Sequence, residues 1–240
     1  MYINHYFFTE RIQIAKAYLY KVIDFLDLHT HKTAMQAGVN SIQSLSLTDD
    51  IFLAMPKKKP ISIGLHPWYA TIDKLELQMK YLAVLAKQEN VKLIGECGLD
   101  RLKGDNLENQ ILILEQQIAL AEELKKPMIL HCVRCFAELI GIKERLMVKI
   151  PMIIHGFNKN EELGKQLMAK GFLLSFGAAI LKENSAAAKL IEELEDFFLE
   201  TDDSETTIEE IYHAVAEIKK CSVDELKAII FANWKKINLI

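Results

Sequence analysis

The chain has 240 residues, of which 50% are apolar and 26% charged, so it can bury a sizeable core and is not a disordered chain. Its 29 basic and 33 acidic residues give a net charge of −4, which argues against a surface that coats nucleic acid or an anionic membrane. No apolar run approaches the ~18 residues of a membrane span. Four cysteines are too few for a disulfide scaffold, so we expect a cytoplasmic protein.

The first predicted element is a strand that begins at residue 22, so residues 1–21 form an N-terminal extension. That extension carries charged side chains and lacks the uninterrupted apolar core of a signal peptide. Near-continuous apolar runs then recur along the chain, as is typical of buried parallel strands. We predict strands over 22–28, 42–47, 61–65, 92–97, 127–132, 152–157, 172–176 and 197–201.

Helix-compatible stretches separate the later strands and close the chain. Alternating strands and helices indicate parallel βαβ units, and eight such strands favour a TIM-like (β/α)8 barrel over an open sheet. The segment 32–60 has little room for a helix, so we expect the first helix to be missing or reduced. We predict a single α/β barrel over 22–240, with helices within 73–88, 106–125, 135–147, 160–170, 184–195, 207–219 and 222–238.

Polar side chains occur at or just past the predicted ends of these apolar strands. They are His29, His31, His66, Glu96, His131, His155 and Asp202. Because successive positions lie one or two βα units apart, each strand delivers its polar residue to the same end of the barrel. In TIM barrels that end carries the active site.

This set of side chains has the chemistry of a metal centre, since imidazole and carboxylate are preferred ligands of Zn²⁺ and similar ions. Residues i and i+2, such as His29 and His31, face the same side of a strand. A single histidine at a strand end is more often a hydrogen-bonded structural residue, and an isolated H-x-H is a weak signal. A whole set in phase with a barrel favours metal binding, and it suffices for two ions that share one carboxylate.

Short motifs around these residues resemble those of the TatD-type metal-dependent deoxyribonucleases of the amidohydrolase superfamily. They occur in the family's order, and the segment N-W-K-K-I at 233–237 resembles the family's closing helix. The resemblance implies a barrel hydrolase that activates water with two metal ions. The other matching segments are D-L-H-T-H at 27–31, G-L-H-P-W at 64–68, I-G-E-C-G-L-D at 94–100, L-H-C at 130–132, I-H-G-F at 154–157, S-F-G at 175–177 and E-T-D-D-S at 200–204.

The resemblance implies that histidines and carboxylates hold two divalent cations, Mg²⁺, Mn²⁺ or Zn²⁺. Glu96 and Asp202 are the expected catalytic residues. Glu96 bridges the ions, whereas Asp202 binds the first ion and takes a proton from the attacking water. The implied ligands are His29 and His31 for the first ion, His131 and His155 for the second, and the two carboxylates.

Three further residues have roles that the resemblance implies. His66 contacts a substrate phosphate, and Arg134 binds substrate from one position later than the arginine of the family pattern. Asp100 either supports a metal ligand from behind or caps a helix. The sequence departs from the pattern at Asp203, which adds a negative charge where an anionic substrate should lie.

These features favour a metal-dependent phosphodiesterase that acts on DNA or another nucleic acid. Basic residues that follow the strands, such as Lys103, either attract an anion or are ordinary solvated side chains. Trp68 either stacks a base or contributes to packing. One alternative function is hydrolysis of a C–N or ester bond in a small metabolite, since the fold does not fix the substrate. Another is a barrel that binds metal or nucleic acid without catalysis. We expect a monomer with no obligate protein partner and no membrane association.

Overall fold

The computed structural model describes residues 24–48, 55–182 and 185–240. The predicted N-terminal extension, residues 1–21, lies outside these ranges. One sheet contains eight strands in the order in which they occur along the chain. They are β1 (Phe25–Thr30), β2 (Val39–Ser46), β3 (Ile61–Gly64), β4 (Val91–Asp100), β5 (Met128–Val133), β6 (Met152–Ile154), β7 (Phe172–Phe176) and β8 (Phe198–Leu199).

Helices fill the intervals between the strands from β3 onward and follow β8. Residues 31–38 join β1 to β2 without a helix, which confirms the prediction that the first helix is missing or reduced. No helix in the described ranges is long and apolar enough to cross a membrane. The α-helices are α1 (Leu75–Leu85), α2 (Leu107–Leu124), α3 (Phe136–Arg145), α4 (Glu161–Ala169), α5 (Ala186–Glu193), α6 (Ile208–Lys219) and α7 (Val223–Lys236), with short 3-10 helices at Ile72–Lys74 and Ala178–Leu181.

The described chain divides into two compact units. The first unit consists of residues 24–41, 156–166, 174–182 and 185–240. The second unit consists of residues 42–48, 55–155 and 167–173. Each unit contributes strand ends that carry predicted site residues.

The second unit contains a run of parallel strand pairs. β2 pairs with β3 from Gln43 opposite Ile61, and β5 pairs with β6 from Met128 opposite Met152. Between them, β4 pairs with both β3 and β5. Side chains such as Ile63 are fully buried, as is usual for parallel strands that are covered on both faces.

The first unit joins the two ends of the strand order. β7 pairs in parallel with β8, and just past β8 the residue Asp202 forms a parallel bridge with Thr30 of β1. The Asp202 N–H donates to the His29 carbonyl at 2.9 Å, and the His31 N–H donates to the Asp202 carbonyl at 3.1 Å. The strand order therefore returns from β8 to β1, which is the topology of a (β/α)8 barrel.

Helix α6 follows β8. A cap fixes its first turn, and a side chain of the helix is hydrogen-bonded to β1. The Thr207 hydroxyl accepts the Glu210 N–H, and the Glu210 carboxylate accepts the Thr207 N–H, which forms a capping box at the start of α6. Tyr212, one turn further on, is fully buried. Its hydroxyl donates to the Leu26 carbonyl at 3.1 Å and accepts the Leu26 N–H at 3.2 Å. These contacts fix the strand that leads to His29.

The predicted elements lie close to the observed ones, with strand boundaries that differ by up to three residues; β6, for example, was predicted over 152–157 and ends at Ile154. β4 was predicted to end at Cys97 and continues to Asp100, because Gly98 and Asp100 still pair with β5. β2 was predicted to begin at Ile42 and begins at Val39. The extension of β4 has a consequence for the site, because it places Asp100 on a strand rather than in a loop.

Candidate metal centre

The first unit brings together His29, His31 and Asp202. His29 is buried in β1, whereas His31 follows β1 and is exposed. Asp202 has a φ of 53°, and its backbone hydrogen bonds to His29 and His31 hold it in that conformation. The Nε2 atoms of His29 and His31 lie 3.6 and 3.5 Å from Asp202 Oδ1. One ligand atom from each of the three residues therefore occupies the same small volume.

The distances in this group suit a shared cation better than hydrogen bonds. An N–H···O hydrogen bond spans about 2.7–3.2 Å, which is shorter than both distances to Asp202. Nitrogen and oxygen ligands that bind one tetrahedral ion at about 2.0–2.2 Å lie roughly 3.4 Å from each other. Two imidazoles and a carboxylate at this spacing have the donor set and the separation of a divalent metal site.

Asp27 lies in β1 two residues before His29, and its carboxylate is buried (3% exposed). Its Oδ1 accepts the Thr201 N–H at 3.0 Å, and its Oδ2 accepts the Thr201 hydroxyl at 2.7 Å. Burial raises the pKa of Asp27 to about 6, although the hydrogen bonds from Thr201 act in the opposite direction. The pair joins β1 to the residue that directly precedes Asp202.

The second unit contains another group, centred on one carboxylate oxygen. Glu96 Oε1 lies 3.0 Å from His66 Nε2, 3.0 Å from His131 Nδ1 and 2.9 Å from His155 Nε2. His66 follows β3, Glu96 lies in β4, His131 lies in β5 and His155 follows β6. Four neighbouring strands thus direct these side chains to one place.

Asp100 contacts this group from the end of β4. Its Oδ2 lies 3.1 Å from His131 Nε2 and accepts the Trp68 indole N–H at 2.6 Å. Burial acts to raise the pKa of Asp100, but the hydrogen bonds from Trp68, the Leu102 N–H and His131 outweigh it, so the pKa lies below its ordinary value. Asp100 is therefore ionised at neutral pH and acts as an acceptor.

An ionised Asp100 determines which nitrogen of His131 carries the proton. Nε2 donates to Asp100, so in the neutral ring Nδ1 carries a lone pair. That lone pair faces Glu96 Oε1 at 3.0 Å, an arrangement that is unfavourable unless a cation or a proton lies nearby. His155 Nε2 is 3.4 Å from the same Nδ1, a separation typical of two ligands on one ion. The second unit therefore also has a donor set that fits a divalent cation.

His66 uses both ring nitrogens within the protein. Its Nδ1 accepts the Trp68 backbone N–H at 3.1 Å, so its proton lies on Nε2 and is donated to Glu96. Burial lowers the pKa of His66, against the effect of the neighbouring Glu96 carboxylate. A neutral His66 thus orients Glu96, and the contact with a substrate phosphate that the resemblance implies stays a prediction.

Two buried glutamines of α2 hold the strand ends that carry these residues. The Gln110 side chain accepts the Asp100 N–H at 2.7 Å and donates to the Asp100 carbonyl at 2.9 Å. Gln117, two turns further along, accepts the Leu65 N–H at 2.7 Å and donates to the Leu65 carbonyl at 3.2 Å. Leu65 directly precedes His66, so one helix positions both the β3 and the β4 ends of the site.

Some residues of interest lie outside these groups or escaped the sequence analysis. Arg134 is exposed, and its carbonyl accepts the Arg101 Nε–H at 3.1 Å; its role in substrate binding stays a prediction.

Two buried carboxylates, Asp27 and Glu200, were not singled out from the sequence. Glu200 is fully buried, and its Oε1 accepts the Gly156 N–H at 2.6 Å. A carboxylate within an apolar strand was the available signal, because a buried charge requires partners.

The strand order, the helices and the histidine–carboxylate groups define an α/β barrel with the donor sets of a metal-dependent enzyme. Solved structures agree on the fold. The chain is similar to a TatD homologue, YjjV, of Escherichia coli, with a TM-score of 0.74, 21% identity and coverage of 90% of this chain and 98% of the other. It is also similar to a TatD family hydrolase of Entamoeba histolytica, with a TM-score of 0.73, 16% identity and coverage of 89% and 97%. These likenesses confirm the predicted (β/α)8 class.

The TatD-related DNase family matches residues 13–238, so the chain belongs to this family, as the motifs indicated. It is 24% identical over 189 residues to an uncharacterised metal-dependent hydrolase of Methanocaldococcus jannaschii, which covers 73% of this chain and 74% of the relative. It is 30% identical over 122 residues to a Cronobacter sakazakii protein named 3′-5′ ssDNA/RNA exonuclease TatD, with coverage of 50% and 46%. The family and these names support a metal-dependent hydrolase.

Proposed function

We propose that this protein is a metal-dependent phosphodiesterase that hydrolyses nucleic acid, with single-stranded DNA as its first candidate substrate. The observation that carries the proposal is the position of His29 and His31, whose Nε2 atoms both face Asp202 Oδ1 at 3.5–3.6 Å. A family whose name is that of a DNase and a relative named as an exonuclease of single-stranded DNA and RNA support phosphodiester chemistry.

Two divalent ions, Mg²⁺, Mn²⁺ or Zn²⁺, would be held by the two groups of side chains. His29, His31 and Asp202 would hold one ion, and His131 and His155 with Glu96 would hold the other. Glu96 as a carboxylate that both ions share remains the prediction of the family resemblance. When bound, such ions lower the pKa of water toward neutrality and offset negative charge on a phosphoryl oxygen.

Asp202 is the residue that we assign to accept the proton of the attacking water. Its side chain is one-third exposed (33%), so water reaches it, while its backbone N–H and carbonyl are hydrogen-bonded to His29 and His31. Glu96 is nearly buried and is oriented by the Nε2–H of His66, which suits a carboxylate that holds a cation rather than one that exchanges protons with solvent. The two predicted catalytic carboxylates would therefore have different tasks.

The test is hydrolysis of a short single-stranded DNA labelled at either end, with Mg²⁺, Mn²⁺ or Zn²⁺ and with EDTA. We expect stepwise shortening that requires metal. Asp202→Asn and Glu96→Gln should each lower kcat by at least about 100-fold while the thermal unfolding curve stays cooperative. Asp224→Asn on the exposed start of α7 and His213→Asn on the exposed face of α6 are matched controls.

Full activity in both site variants would reject the proposal. A protein that holds metal and never cleaves phosphodiesters, yet turns over amides or lactones, would favour the hydrolase of a small metabolite. A metal-loaded protein that is inert on every substrate would favour a binding function without catalysis. The label would also show which end of the strand is attacked.

A further inference from the structure

Trp68 is partly exposed (36%) yet its ring is held by directional contacts on several sides. Its indole N–H donates to Asp100 at 2.6 Å, and its backbone N–H donates to His66 at 3.1 Å. The His66 and His131 rings pack against the Trp68 ring in edge-to-face contacts, with centroid distances of 4.9 and 5.5 Å and interplanar angles of 75° and 77°. An exposed aromatic ring with a fixed orientation is a preorganised surface for a flat ligand.

The Trp68 ring is connected to the candidate metal centre through a single carboxylate. Asp100 Oδ2 accepts the indole N–H and also faces His131 Nε2 at 3.1 Å. His131 in turn lies 3.0 Å from Glu96 through its other ring nitrogen. A ligand on Trp68 would therefore lie beside the group that we propose for the chemistry.

A basic side chain already lies on this ring. The Lys103 Nζ atom is 3.5 Å from the centroid of Trp68, and the lysine is otherwise exposed. Exposed cation–π contacts are weak, and base–aromatic stacking is stronger, so a base can displace the ammonium from the ring. The displaced ammonium would remain beside the base, where the phosphate of the same nucleotide lies.

The loop that carries Lys103 is built against the segment of Trp68. A Cβ added to Gly104 would lie 2.1 Å from the Pro67 carbonyl, so the loop passes this close only because residue 104 is glycine. Gln110 donates from one amide nitrogen to the carbonyls of Lys103 and Asp105 at 3.1 and 2.7 Å. The ring and the lysine are therefore presented together by a fixed backbone.

We propose that Trp68 and Lys103 form a nucleotide subsite, in which the indole stacks on a base of the substrate strand and the ammonium pairs with its phosphate. This inference rests on the proposed function, because it names the part of a nucleic acid that the same site recognises. It predicts that the protein needs a base next to the cleaved bond and does not read which base it is, since every base has a face that stacks.

The test compares Trp68→Phe with Trp68→Leu. Both variants lose the hydrogen bond to Asp100, but only phenylalanine keeps an aromatic face. With a decamer of thymidylate, we expect KM to rise about tenfold for Trp68→Leu and at most about threefold for Trp68→Phe, with kcat changed less than KM. With a decamer that lacks the bases near the cleaved bond, the three proteins should have the same KM, close to that of Trp68→Leu on the thymidylate strand.

Binding gives a second measurement that does not depend on turnover. In an Asp202→Asn background with Mg²⁺, thymidylate decamer should quench the emission of Trp68, while the buried Trp234 supplies a constant background. The decamer without bases should not quench it, and Trp68→Phe should abolish the signal. Lys103→Gln should weaken binding and lower the slope of log K against log salt by about 0.7, the value for one phosphate contact on a single strand.

Equal KM values for the phenylalanine and leucine variants on the thymidylate strand would overturn the subsite, because the hydrogen bond to Asp100 would then explain the whole effect. Quenching by the strand without bases would overturn it as well. If the unmodified protein cleaves neither strand but thymidylate still quenches Trp68, the proposed function fails and the subsite stands. If it cleaves both strands equally well, the proposed function stands and the subsite fails.

Discussion

The Asp27 carboxylate receives both hydrogen-bond donors of Thr201, the backbone N–H at 3.0 Å and the hydroxyl at 2.7 Å. Asp27 lies two residues before His29, and Thr201 directly precedes Asp202. The pair therefore sets the relative position of two candidate ligands of one ion. Thr201 Oγ1 also lies 2.8 Å from Thr30 Oγ1, which extends the contact along the end of β1.

Thr201→Val removes the hydroxyl without changing the shape of the side chain, whereas Thr201→Ser keeps the hydroxyl. We expect the valine variant to bind the metal ion held by His29, His31 and Asp202 about 10- to 100-fold more weakly. Groups that position metal ligands contribute to metal affinity on that scale. The serine variant should bind nearly as the unmodified protein does. Isothermal titration with Mn²⁺ and Zn²⁺ measures both affinity and stoichiometry. Equal affinities in the valine and serine variants would show that the Asp27–Thr201 contact does not position the ligands.

Gly98 is a position where the close approach of β4 and β5 requires glycine. Its φ is 148°, and a Cβ built there would lie 2.0 Å from the His131 carbonyl oxygen. Gly98→Ala should lower the free energy of unfolding by roughly 3 kcal/mol or more, from backbone strain and overlap together. Gly141 lies in α3 with no atom within 4 Å of an added Cβ, so Gly141→Ala should raise stability by about 0.5–1 kcal/mol. Urea unfolding measures the free energy of unfolding of both variants. Similar free energies for Gly98→Ala and Gly141→Ala would contradict the close approach of β4 and β5 at Gly98.

The order of elements could be predicted from this sequence because the apolar runs and the helical stretches are local patterns. The polar residues at strand ends could be found for the same reason, since each lies at or just past the end of an apolar run. The extension of β4 to Asp100 could not be predicted, because Cys97 ends the apolar run and only the pairing with β5 shows that the strand continues.

The roles of residues that depend on partners far away along the chain also could not be predicted from the sequence. Asp27 contacts Thr201 across 174 positions of the chain, and no local pattern marks such a pair. The protonated nitrogen of His66 follows from a donor at Trp68, and that of His131 follows from the charge of Asp100. Motifs can therefore identify candidate ligands, whereas the contacts that orient them require the folded structure.

Two half-buried lysine ammonium groups, one in each unit, donate to carbonyl groups at the end of a helix. Lys126 Nζ donates to the carbonyls of Ala86 at 2.5 Å and Val91 at 2.6 Å, and Lys219 Nζ donates to those of Ile191 at 3.0 Å and Leu194 at 2.6 Å. Ala86 directly follows α1, and Leu194 directly follows α5, so each lysine satisfies a carbonyl group at the end of a helix; Val91 is the first residue of β4.

Lys126→Met and Lys219→Met keep the apolar stem and remove the charged donor. Each should lower the free energy of unfolding by about 1–3 kcal/mol, the range for buried groups that lose a charged hydrogen-bond partner. Lys87→Met, at an exposed position, is the matched control and should stay within about 0.5 kcal/mol of the unmodified protein. If all three variants unfold at the same denaturant concentration, the capping contacts contribute nothing to stability.

Asp203 is exposed and directly follows Asp202, so its charge lies close to the place where a phosphodiester would bind. Asp203→Asn should lower KM for single-stranded DNA roughly two- to threefold at low ionic strength, the effect of one unit charge about 7 Å away in a water-like medium. At 0.5 M salt the difference should disappear, because screening acts over only a few ångströms there. Asp224→Asn, also exposed but on α7, should leave KM unchanged at either salt concentration. A fall in KM that persists at high salt would mean that Asp203 acts through shape or hydrogen bonding, and an unchanged KM at low salt would place the anionic substrate away from β8.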